Sequence, residues 1–119
     1  MDKKAATGLV EKYIAMWNET DQGLRRALVA EVFTPEGTYT DPVADAAGHA
    51  AVDAYLASAQ GNFRGMSFTF GTVLAHHDAV HFTWRVGPPG RPPVASGSDV
   101  AWVAPDGRIG RLYGFFDGF

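Results

Sequence analysis

Met66-Ser67-Phe68-Thr69-Phe70 is where the chain changes its period. Polar and aromatic residues alternate one by one, as on a strand with one buried face, and the pattern carries on to Leu74 or Ala75. Before this point apolar residues recur every three or four positions; after it they recur every two. Helices therefore precede strands, the order of an α+β domain with helices on one face of an antiparallel sheet. Downstream, His76-His77-Asp78-Ala79 reads as a turn into a strand Val80–Val86, and Gly87 to Pro93 as a loop. A third strand runs from about Val94 to Val103. Pro105-Asp106-Gly107 is a turn, because proline presets φ and glycine accepts positive φ. Arg108 to Phe116 completes a four-strand meander.

Upstream, Leu9, Tyr13, Met16 and Trp17 form the stripe of a helix with one buried face. Thr20 or Asp21 caps a second helix, in which Leu24, Leu28 and Val32 are expected inside while Arg25 and Arg26 face solvent. Phe33-Thr34-Pro35-Glu36-Gly37 ends that helix, and Thr38-Tyr39-Thr40-Asp41 is a short β-prone run halted by Pro42. A flexible Ala-rich stretch leads to Gly48-His49 and a third helical pattern through Val52, Tyr55, Leu56 and Ala59, closed by Gly61.

A chain of 119 residues with 46% hydrophobic content suits one domain, residues 1–119. The absence of cysteine excludes a disulfide framework, a thiolate metal site and a cysteine nucleophile. A net charge of −3 and pI ≈ 5.7 argue against a nucleic-acid partner, which needs clustered Lys and Arg. Glu11 and Lys12 interrupt the start, so no signal peptide is expected. No apolar run approaches the roughly 18 residues of a membrane span, so the expectation is a cytoplasmic protein without a membrane partner.

Parity assigns the strand faces. Phe82, Trp84 and Val86 alternate against His81, Thr83 and Arg85, and Leu112, Gly114 and Phe116 against Arg111 and Tyr113. The strand Val94–Val103 is apolar on both parities, which points to burial of its outer face, carrying Val100 and Trp102, in a homodimer. If its small residues face inward, Asp99 sits inside an apolar cavity; the opposite parity puts Trp102 inside and Asp99 at the surface. The first arrangement is favoured because Gly97 and Ala101 would leave room for a ligand. Tyr13, on the buried helix stripe, needs a hydrogen-bond partner there, and Asp41 stands where Pro42 breaks a strand. A tyrosine and two carboxyls around an apolar pocket make a proton-transfer site: one carboxylate is a mobile base, while the tyrosine and a protonated acid donate to the developing oxyanion. Burial would raise the pKa of Asp99 and keep it a donor.

The element order, Tyr13-Ile14-Ala15-Met16-Trp17-Asn18, Asp41-Pro42-Val43, Gly48-His49 at a helix start and the late aromatic strands resemble the NTF2-like superfamily, in its SnoaL-like and ketosteroid-isomerase-like branch. The resemblance implies a cone, a curved antiparallel sheet wrapped around N-terminal helices with an internal pocket. It implies Tyr13 and Asp99 as the oxyanion-hole pair, Asp41 as the base and a neutral carboxylic acid in an apolar site. Pocket walls are expected from Met16, Trp17, Phe82, Trp84, Val86, Ala101, Leu112 and Phe116, around a hydrophobic small-molecule ligand. Trp84 is bulky enough to shorten the cavity, and Ser96-Gly97-Ser98 is more polar than a steroid-sized pocket would suggest.

The activity implied is cofactor-free isomerisation next to a carbonyl, of the delta-5-3-keto steroid type. Two alternatives stand beside it: a non-catalytic ligand-binding or dimerisation module, and a polyketide-cyclase-like enzyme, which needs a histidine near the acid. His81 would serve only if a bulge shifted its parity. An epoxide-hydrolase-like Asp-Arg-Asp set is disfavoured, because Arg85, Arg111 and Asp117 share the outward parity. His76-His77-Asp78 and His81 straddle a turn instead of converging, so no metal is expected. Gly87 to Pro93 lacks a phosphate-loop lysine, and no cofactor is expected.

Overall fold

Asp2 opens the first helix, its carboxylate accepting from the Ala5 backbone N–H at 2.8 Å. In this computed structural model, which describes residues 1–119, α1 spans Lys3–Asn18. Its inward face buries Leu9, Val10, Tyr13, Ile14, Met16 and Trp17. Two side chains secure its end. Asn18 exchanges a pair of hydrogen bonds with the backbone of Phe68, at 2.9 and 2.8 Å. Gln60 donates to the carbonyls of Trp17 and Glu19, at 3.0 and 2.8 Å, satisfying acceptors that a helix end leaves free.

Asp21 caps α2, Gln22–Val32, accepting from Leu24 N–H at 2.9 Å. Its expected stripe is corrected: Leu24 is 58% exposed, whereas Arg25 is buried with Val29 and Val32. The reason lies on α3, His49–Asn62, where Asp53 accepts from Arg25 Nε at 2.7 Å and Gln60 from Arg25 Nη1 at 3.1 Å. The exposed Arg26 reaches the other Asp53 oxygen at 3.2 Å. Burial pushes the Asp53 carboxyl up, but the two guanidinium hydrogen bonds outweigh it and hold the group below its ordinary value. An apolar-stripe reading cannot register a charge whose partner is 28 residues away.

Six strands form one curved sheet: β1 Phe33–Asp41, β2 Ala44–Ala47, β3 Ser67–His76, β4 Ala79–Gly87, β5 Ala95–Val103 and β6 Ile109–Phe116, in the order β2-β1-β6-β5-β4-β3. The expected four-strand antiparallel meander is thus extended, and the sheet is mixed, because β1 runs parallel to β6. The chain passes from α2 into β1 without a loop, Phe33 being both helix cap and first strand residue. The Ala-rich stretch folds back as β2, pairing Ala44 with Asp41 and Ala47 with Thr38. Pro35 is tolerated because β2 reaches only Thr38 and the β6 pairing is irregular between Phe33 and Thr38. Register shifts between Phe70 and Val73, and between Trp102 and Val103, bend the sheet around the helices.

The inner face carries Phe82 and Val86 of β4, Gly97, Asp99 and Ala101 of β5, and Leu112 and Gly114 of β6, all buried. His81, Thr83, Arg85 and Arg111 are exposed on the outer face. There, Arg111 lies 4.2 Å over the Trp102 ring, with Tyr113 edge-on at 5.8 Å. No helix is long and apolar enough to cross a membrane.

Truncating Asp53 leaves a buried guanidinium uncompensated. Asp53→Ala is expected to lower unfolding free energy by about 3–5 kcal/mol in urea titrations, while Arg26→Ala, at an exposed partner, costs under about 1 kcal/mol.

Candidate active site

Tyr13 projects from α1 onto the inner face of β4 and β5, where its ring packs edge-on against Phe82 at 5.2 Å. Its hydroxyl meets Asp99 Oδ2 at 2.9 Å, both side chains buried. The second Asp99 oxygen, Oδ1, accepts from the Trp84 indole at 3.1 Å. The indole reaches it because residue 97 is glycine. A Cβ there would run into the Phe115 carbonyl oxygen and stand 2.6 Å from the Trp84 ring. The room expected for a ligand at Gly97 is therefore taken by Trp84 and the neighbouring strand.

Asp41 closes β1 beside this pair. Tyr39, two residues earlier on the same face, and Tyr55 of α3 each donate to Asp41 Oδ2 at 2.6 Å, and Val43 N–H donates to Oδ1 at 2.9 Å. Gly114 brings the two acids together: a Cβ on it would lie 3.0 Å from Asp99 Oδ1 and 3.4 Å from Asp41 Cβ. A side chain at this point would fill the space between the carboxyls.

A cavity of about 280 Å³ joins these groups, lined by Tyr13, Asp41, Asp99, Trp17, Trp84 and Phe116 among the residues anticipated from sequence. Its remaining wall is largely apolar and includes Ile14, Tyr39, Tyr55, Phe63 and Phe68. Met16, Phe82, Val86, Ala101 and Leu112, expected on the wall, lie instead in the packed core. Parity assigns a residue to a face but not to a depth along the cone, and these five fill the layer where helix meets sheet. Tyr39 and Tyr55 were missed as site residues, although Tyr39 shares the strand parity of Asp41 and Tyr55 the buried stripe of α3. Asp117, expected outward, lies at the cavity's edge and accepts from Ser96 Oγ at 2.7 Å.

No histidine or arginine lines the cavity. His81 is exposed on the outer face, and His49 bonds the Phe33 carbonyl at 2.9 Å. No set of three His, Cys, Asp or Glu side chains is placed to hold a metal ion.

Burial pushes the Asp99 carboxyl up to about 7; the Tyr13 and Trp84 hydrogen bonds oppose the rise and the neighbouring Asp41 adds to it. Burial, and then the Asp99 charge, push the Tyr13 hydroxyl up, so it stays a donor. An indole N–H only donates, so Trp84 keeps Oδ1 an acceptor in either protonation state. The acid proton of Asp99 consequently belongs on Oδ2, next to the Tyr13 hydroxyl. Below about pH 7 the pair holds two O–H groups, with that of Tyr13 donating to Asp99 Oδ2.

A group with a raised carboxyl pKa binds its proton more tightly when folded, so stability falls as pH climbs from the ordinary Asp value to about 7. Asp99→Asn cannot ionise. Urea unfolding at pH 5 and pH 8 is expected to show the variant gaining on the wild type across this window, by on the order of 2–4 kcal/mol. A gap independent of pH would rule out a buried, titrating Asp99.

Among curated proteins, none matches this chain. The family model of the SnoaL-like domain matches residues 10–112. Among solved structures, a protein from Agrobacterium tumefaciens str. C58, assigned as an isomerase of the SnoaL-like family, is 33% identical with a TM-score of 0.90, covering 97% of this chain and 99% of its own. A SnoaL-like protein of unknown function from Burkholderia thailandensis shares the fold at 17% identity and a TM-score of 0.79, covering 99% of each chain. A protein from Jannaschia sp. CCS1, assigned as a SnoaL-like polyketide cyclase, does so at 19% identity and a TM-score of 0.70, covering 93% of this chain and 86% of its own. With the family match over residues 10–112 and 33% identity across nearly the whole chain, the chain belongs to the SnoaL-like family of the NTF2-like superfamily.

Proposed function

We propose that this protein is a cofactor-free enzyme that removes a proton next to a carbonyl group of a compact hydrophobic substrate, in the manner of ketosteroid-isomerase-like proteins. The observation that carries this reading is the Tyr13–Asp99 pair, 2.9 Å apart and buried at one end of an apolar cavity that also holds a second carboxyl. A substrate carbonyl oxygen seated there would accept from the Tyr13 hydroxyl and from Asp99 Oδ2–H. Asp41 would take the adjacent carbon-bound proton, and the charge moving onto oxygen would draw both donors, the Tyr13 hydroxyl turning to it from its bond with Asp99. The similarity to the Agrobacterium protein assigned as an isomerase supports the same chemistry.

The cavity's size narrows the substrate. At about 280 Å³ it lies just under the ~300–1,000 Å³ usual for small-molecule pockets, and this favours one or two fused rings over a four-ring steroid skeleton. Trp84, bonded to Asp99, forms part of its wall. A polyketide-cyclase-like reaction assisted by histidine is disfavoured by the exposed position of His81. The outer sheet face, with Val100 and Trp102 half-buried and Tyr113, Phe115 and Leu74 exposed, is proposed to be covered by a second copy of the chain.

The test uses 3-cyclohexenone as substrate and 2-naphthol as a phenolic mimic of the enolate. Asp41→Asn is expected to cut turnover by about 10²–10⁴-fold while 2-naphthol still binds. Tyr13→Phe is expected to lose about 10²-fold through the missing donor. Turnover should decline as pH rises through about 7, where the Asp99 donor is lost. Tight 2-naphthol binding with neither isomerisation of 3-cyclohexenone nor deuterium exchange into it would instead identify a non-catalytic binding module. Sedimentation at micromolar concentration is expected to give a dimer that Trp102→Glu converts to monomer; a wild-type monomer would refute the pairing.

A further inference from the structure

Asp41 is held more firmly than a travelling base would be. An ionised carboxylate offers about four acceptor sites. Tyr39 and Tyr55 occupy two on Oδ2 at 2.6 Å each, the short range of charge-assisted O–H···O⁻ bonds, and Val43 N–H occupies one on Oδ1 at 2.9 Å. One site remains, on Oδ1. The donors are themselves fixed: the Tyr39 and Tyr55 rings pack 5.2 Å apart, and both lie against Trp17, at 5.9 and 6.0 Å. Burial of both phenols raises their pKa, so neither gives up its proton at accessible pH.

We propose that Tyr39 and Tyr55 are positioning residues that tie Asp41 through Oδ2 and leave a single acceptor site on Oδ1 as the working base, restricting the enzyme to removing and returning a proton at one carbon. The inference rests on the proton-transfer reading above and narrows its reaction class from double-bond migration to enolisation. In the step, the C–H electron pair becomes the carbon–carbon double bond of an enolate, the carbonyl π pair moves onto oxygen, and the proton rests on Oδ1. Reversal returns it to the same carbon. Carrying it to a carbon two bonds along the substrate would require the carboxylate to swing and break both 2.6 Å hydrogen bonds.

In D₂O, 3-cyclohexenone separates the two outcomes: return to the α carbon after the proton on Oδ1 has exchanged with solvent appears as deuterium incorporation, and delivery to the γ carbon as 2-cyclohexenone. The wild type is expected to exchange faster than it isomerises. Freeing the carboxylate with the double variant Tyr39→Phe/Tyr55→Phe is expected to raise the ratio of isomerisation to exchange by about tenfold, equivalent to about 1.4 kcal/mol between the two barriers. Loss of folding or of overall activity would lower both rates and leave their ratio alone. As an independent readout, ¹H NMR of the unliganded protein is expected to show two hydroxyl resonances far downfield of the amides. One should vanish in each single Tyr→Phe variant and both in Asp41→Asn. An unchanged ratio in an active double variant, or absence of the two resonances, overturns the proposal. Should the wild type leave 3-cyclohexenone untouched, the proton-transfer reading fails, while the resonances still uphold the tie to Asp41 or, by their absence, refute it.

Discussion

The hydrogen bond between Tyr13 and Asp99 joins the first helix to the fifth strand across 86 residues of sequence, and the site depends on it. A carboxyl taken out of water is costly unless donors surround it. Tyr13 and Trp84 supply them, one to each oxygen, and no buried side-chain polar atom is left without a partner. The same bond therefore holds α1 against the sheet and brings the phenol and the acid together. Its strength and that of the Trp84 bond stop short of offsetting burial, so the Asp99 carboxyl stays raised.

The two carboxyls of the cavity stand in unlike surroundings. Asp99 has two donors in a deeply buried setting, and its affinity for a proton is raised. Asp41 has three, two of them short phenolic bonds, and stands close enough for its charge to add to the rise at Asp99. In the proposed reaction, neighbouring acids in unlike environments would divide into donor and base. Gly114 makes the arrangement sterically feasible, and Gly97 lets Trp84 join it.

Much of this was legible in the chain because alternation is local. The period change at Ser67, the parity of Phe82 against His81 and the small-residue face of β5 all follow from neighbouring residues, and the structure has those faces as read. Readings that needed distant partners fared differently. Arg25 looked solvated until Asp53 lay beside it, Gly97 looked like ligand space until Trp84 filled it, and the Ala-rich segment looked loose until β1 paired with it. The parallel β1–β6 pairing was invisible for the same reason, since no local pattern encodes a partner some seventy residues away.

Sequence by itself determined the α+β class and the inward faces of the late strands, and it put Tyr13, Asp41 and Asp99 forward as candidates, because periodicity and residue chemistry are carried by the residues themselves. Tertiary structure alone decided which donor meets each oxygen of Asp99, that Tyr39 and Tyr55 hold Asp41, and that the cavity is small. Those are matters of distance in three dimensions. Hydrogen-bond saturation and free volume arise only when helix, strand and loop converge on the same few ångströms.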